Sequence, residues 1–109
     1  MMNQFELQEW NIQTIALMQA LLGAVSPNFR MVVLDRENDQ WSISIFLERE
    51  DEEDREEIED LLGDFEALQD GYLDHDDRVI VTSGPLPLIE FPARVIYLRR
   101  ERDSKEKVL

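Results

Sequence analysis

The chain has 109 residues, 43% of them hydrophobic, no cysteine and a formal net charge of −14. That length and apolar content suit one modest core, and the missing cysteines exclude a disulfide framework and thiolate chemistry. A surface this acidic repels phosphate and anionic headgroups, so direct nucleic-acid or membrane binding is not expected, whereas a basic protein is drawn towards it.

Residues 4–22 read as a helix. Phe5, Trp10, Ile12, Ile15, Leu17, Met18, Leu21 and Leu22 are spaced too densely for a narrow stripe, so much of its circumference is expected to be covered. Gly23 and Ser26-Pro27 end it. Met1-Met2-Asn3-Gln4 leads straight into this segment, without the basic and apolar regions of a secretory leader. Residues 29–35 read as a strand, and a polar turn over 36–39 makes a hairpin with a loop of about four residues. In residues 40–47, Trp41, Ile43, Ile45 and Leu47 fall on one face and Ser42, Ser44 and Phe46 on the other.

Residues 51–70 read as a second helix, capped by Asp51 and one-sided: Ile58, Leu61, Leu62, Phe65 and Leu68 form the inward stripe and acids cover the rest. Asp70-Gly71 ends it. Residues 78–83 read as a third strand. The prolines at 85, 87 and 92 forbid regular pairing between there and a fourth strand at 94–99. The expected fold is α+β, in the order α-β-β-α-β-β: two helices packed on a four-stranded, mostly antiparallel sheet. Both strand-to-strand connections are short enough for antiparallel neighbours. Residues 1–99 are expected to form a single domain, and the charged residues 100–109 a frayed tail.

The charge is concentrated. From Glu48 to Asp77 there are sixteen acids and two arginines, whereas the other 79 residues hold nine acids and nine bases. Like charges three and four apart on a helix destabilise it by a few tenths of a kcal/mol per pair, and a basic partner gives that cost a purpose. Enzyme signatures are missing. The loop 70–77 has calcium-binding residue types but neither the 12-residue pattern nor its terminal Glu. His75 lies among Asp74, Asp76 and Asp77 in an expected surface loop with no local nucleophile to activate. No glycine-rich phosphate loop, nucleophile elbow or zinc spacing occurs. Glu52, Glu53, Glu56, Asp60, Asp74, Asp76 and Asp77 are therefore the candidate partner-binding carboxylates, and Tyr72 is the candidate aromatic anchor. No catalytic residue, metal site or cofactor is assigned.

The chain resembles the immunity proteins of bacterial toxin systems, among them the contact-dependent inhibition type and, in general character, the nuclease inhibitor barstar. The resemblance lies in its size, its acidity and three stretches: Ala20 to Arg30, Asp64-Phe65-Glu66-Ala67-Leu68, and Pro92 to Arg100. It implies a cytoplasmic inhibitor of a basic cognate toxin domain, often a nuclease, whose substrate charge the inhibitor mimics. An adaptor domain for another basic protein is the main alternative, and a divalent-cation-binding domain the second. A homodimer through the apolar 86–91 segment or an unpaired edge strand also stays open.

Overall fold

The protein is described from a computed structural model over residues 1–101; the rest of the charged tail lies outside the described residues. The elements are α1 (Gln4–Leu21), β1 (Phe29–Glu37), β2 (Gln40–Leu47), α2 (Glu52–Ala67), β3 (His75–Val81) and β4 (Arg94–Leu98). Local chemistry sets the helix starts. The Asn3 side chain accepts from the Glu6 amide, and the Asp51 side chain from the Asp54 amide, each satisfying an amide with no partner inside its own helix.

The strands form one sheet in the order β3-β2-β1-β4. β1 pairs antiparallel with β2 and with β4, while β2 pairs in parallel with β3. The sheet is thus mostly antiparallel, as expected, but β3 and β4 are not neighbours: they sit on opposite edges. α2 is the crossover between β2 and β3 and returns the chain in the same direction, which makes β3 parallel to β2, while β4 takes the free edge of β1. The chain must then travel from one edge to the other. Strand boundaries also shift. β3 begins at His75 rather than Arg78, because 75–77 already pair with Trp41, Ser42 and Ile43. The first hairpin turns on two residues rather than four: Asn38 (φ 52°) and Asp39 (φ 64°) both take the left-handed conformation that tight hairpins need.

Both helices cover one face of the sheet. Trp41, Ile43, Ile45 and Leu47 point to that side, as the alternation predicts, and meet Trp10, Leu17, Ile58, Leu61 and Phe65 in the main core. Burying a side chain of this size contributes about 1.5–3 kcal/mol. Trp10 packs edge-on against Trp41 at 5.0 Å between ring centroids, with Arg94 over the one ring and Arg36 over the other. The expected covering of α1 is only partly met. Its buried residues are Trp10, Gln13, Ala16, Leu17, Ala20 and Leu21, while Phe5, Ile12, Ile15, Met18 and Leu22 are exposed. One sheet can cover only one side of a helix, and among the described residues α2 is the one other element in the layer.

The opposite face of the sheet carries a second, smaller cluster of Met31, Val33 and Phe46, covered by Leu86, Ile89 and Ala93 from the 82–93 connection. Arg30 holds this connection in place. Its buried guanidinium donates to the carbonyls of Thr82 (2.6 Å) and Gly84 (2.8 Å) and pairs with Glu101 (2.7 Å). Arg99 joins Glu101 to Glu48, and the two arginines hold the Glu101 carboxyl below its ordinary pKa, Arg30 most strongly. At the same end, the Asn28 side chain donates to the Arg49 carbonyl and to the buried Asp54, and accepts from the Arg49 amide.

Candidate acidic binding surface

The candidate residues fall into three groups. Glu52, Glu53, Glu56 and Asp60 are all exposed on α2. Glu52, Glu56 and Asp60 repeat every fourth residue, so they stand one above another, with Glu53 beside them. Ile58, Leu61 and Phe65 hold the opposite side of the helix in the core, which fixes the carboxylates outward. Arg55 does not neutralise the stripe, because its guanidinium makes two 2.7 Å bonds to Glu50 just before the helix.

Tyr72 and Asp74 form the second group, in the loop after α2. Both are exposed, and Tyr72 retains 91% of its accessible surface. Gly71, at φ 109°, makes the turn that carries the chain away from the helix.

β3 separates the remaining pair. Asp77 points to the helix side and is engaged by His75, while Asp76 points to the other face and lies 3.6 Å from Arg78. There Asp76 lines an open groove of about 430 Å³ with Asp35, Glu37, Ser42, Ser44 and Glu90. The structure therefore brings together the four α2 carboxylates and does not bring Asp76 or Asp77 to them.

His75 is not in a surface loop. It opens β3, and its imidazole is only 5% exposed. Nδ1 lies 2.7 Å from Asp77 and Nε2 2.8 Å from Glu66 on α2, with the ring edge-on to Phe65. Burial disfavours the charged ring, but the hydrogen bonds and charges of Asp77 and Glu66 outweigh it and raise the His75 pKa. Burial raises Asp77 as well, and His75 only partly offsets this. With both nitrogens facing carboxylates, His75 is a bracket between α2 and β3, with no nitrogen left over to act as a base. The i, i+2 spacing of His75 and Asp77 on a strand is the signal that could have revealed this. The two carboxylates sit at opposite ends of the ring, and among the described residues no three potential ligands converge on a metal. No described helix is long and apolar enough to cross a membrane.

The four α2 carboxylates thus form a charged outward stripe on a helix packed into the core. Residues 12–101 match the model of the MafI2 immunity protein family, and the chain belongs to that family. Among curated proteins none matches it. Immunity protein is the class that the resemblance implied, although the matching family is MafI2 and not the contact-dependent inhibition type.

Proposed function

We propose that the protein binds and neutralises a basic cognate toxin domain in the cytoplasm of the producing cell, as a stoichiometric inhibitor and not as a catalyst. The toxin is a nuclease, and the inhibitor answers its substrate-binding charge with carboxylates. One observation carries this: within an immunity family, Glu52, Glu53, Glu56 and Asp60 form one unneutralised outward stripe on a helix anchored in the core. Tyr72 and Asp74 extend the contact beyond the helix end. Asp76 faces the other side of the sheet and Asp77 is held by His75, so these two add to the long-range field and not to the contact.

The test is the association rate with the toxin domain encoded beside this chain's gene, followed by stopped flow at low and high salt. Glu53→Lys with Glu56→Lys should slow association by about tenfold at low salt and flatten its salt dependence. A native rate that stays the same across that salt range refutes electrostatic steering. An absence of binding refutes the immunity reading itself.

A further inference from the structure

A run of exposed apolar side chains lies not on the acidic helix but beside it, on α1. Phe5 is 67% exposed, Ile12 59%, Ile15 56%, Met18 52% and Leu22 80%. Four of them lie within α1 and Leu22 is its C-cap; their spacings of seven, three, three and four residues keep all five on one face. The polar residues among them, Gln8, Asn11 and Gln19, are uncharged. The acids of α1 stand elsewhere on its circumference: Glu6 lies in the capped first turn, and Glu9 is bound at 2.8 Å to Arg36 of β1. Five side chains exposed to this degree amount to an apolar patch on the order of 500 Å², as large as the largest patch on a typical monomer, which is often functional.

We propose that this outer face of α1 is the apolar centre of the toxin interface and that the α2 carboxylates are its charged rim. The proposal rests on the immunity reading and names the surface that does the holding. The two helices lie in one layer on the same side of the sheet, tied by reciprocal amide bonds between Gln13 and Gln69 of 2.9 and 2.8 Å. Their outer faces therefore look out together. Protein interfaces are built this way, with a desolvated apolar centre inside a polar rim. Exposed ion pairs each contribute little to holding a complex, so the stripe on α2 speeds arrival, whereas burial of Ile12, Ile15, Met18 and Leu22 slows release. Charge selects the occupant. A second copy of this chain brings a net charge of −14 against the same charge, whereas a cationic domain with its own apolar patch is attracted by the neighbouring helix.

The experiment uses the intact chain and the catalytically inactivated toxin domain encoded beside it, with binding kinetics measured by interferometry. Ile15→Glu with Met18→Glu should raise the dissociation rate by about a hundredfold, while the added negative charge leaves association as fast or faster. Glu53→Lys with Glu56→Lys should do the reverse, slowing association and changing dissociation only a few-fold. Ile15→Ala with Met18→Ala serves as the milder pair, and a melting curve unchanged from the native protein shows that each variant is folded. Sedimentation velocity of the native chain alone should give a monomer. If the native chain binds toxin and the α1 variants release it at the native rate, this proposal fails while the immunity reading survives. A stable native dimer that the α1 variants dissolve without loss of toxin binding likewise overturns it. If the native chain does not bind toxin, both fall.

Discussion

Replacing Arg30 by methionine tests what holds the back of the sheet. The native guanidinium satisfies the carbonyls of Thr82 and Gly84 and pairs with Glu101, and its side chain is only 7% exposed. Methionine keeps most of the apolar stem and removes every donor. Each carbonyl left without a partner costs about 1–3 kcal/mol, and the lower half of that range applies because residues 82 and 84 are only half-buried. The pair with the part-exposed Glu101 adds up to about 1 kcal/mol. The loss should be about 3 kcal/mol, a large part of the 5–15 kcal/mol typical of a whole domain, and should lower the melting temperature by roughly 12–20 °C. Urea unfolding followed by tryptophan fluorescence measures it, since Trp10 and Trp41 are both buried in the core. Arg30→Lys, with one cationic nitrogen in place of three, should lose about half as much. A loss below about 1 kcal/mol for Arg30→Met, with an unchanged denaturant slope, refutes the view that these bonds fasten the 82–93 connection.

Gly63→Ala should stabilise the protein by about 0.5–1 kcal/mol: the position is exposed within α2, an added Cβ meets nothing within 4 Å, and alanine favours the helix; a lower unfolding midpoint contradicts this. Asn28→Ala should cost about 2–3 kcal/mol in the same urea assay, because it leaves Asp54 and the Arg49 backbone short of partners; a loss within error refutes the role of that tether. His75 should titrate above its ordinary value of 6.5, which its single imidazole resonance reports directly by NMR. Because the folded pKa is raised, the stability from protonated His75 is fully present below that ordinary value and is lost as pH rises through the folded one. Thermal melts from pH 6 to 9 should show a decline that His75→Gln flattens; equal declines in both proteins refute the bracket.

Much of the architecture was legible because it rests on local periodicity. The alternation from Trp41 to Leu47 and the stripe through Ile58, Leu61 and Phe65 each assign a buried face from sequence spacing alone, and Asp51 announces the start of α2. The order of strands was not legible. It depends on which edge β4 joins, and the path there is fixed by Arg30 reaching residues more than fifty positions away. The acidic face of α2 could be read from the density of carboxylates, but the separation of Asp76 from Asp77 depends on β3 starting at His75. Apolar density on α1 suggested burial on most sides. The exposed face shows that density alone does not tell a buried apolar side chain from an exposed one.

The sheet order also sets a sequence of events during synthesis. β4 pairs with β1, so Met31 waits for Leu98 before the last edge can close. By contrast, α1, α2 and most of the main core come from the chain up to Val81. A nascent chain leaving the ribosome thus completes most of its helix-covered side first, and its final twenty described residues come last, crossing the back of the sheet to close the far edge.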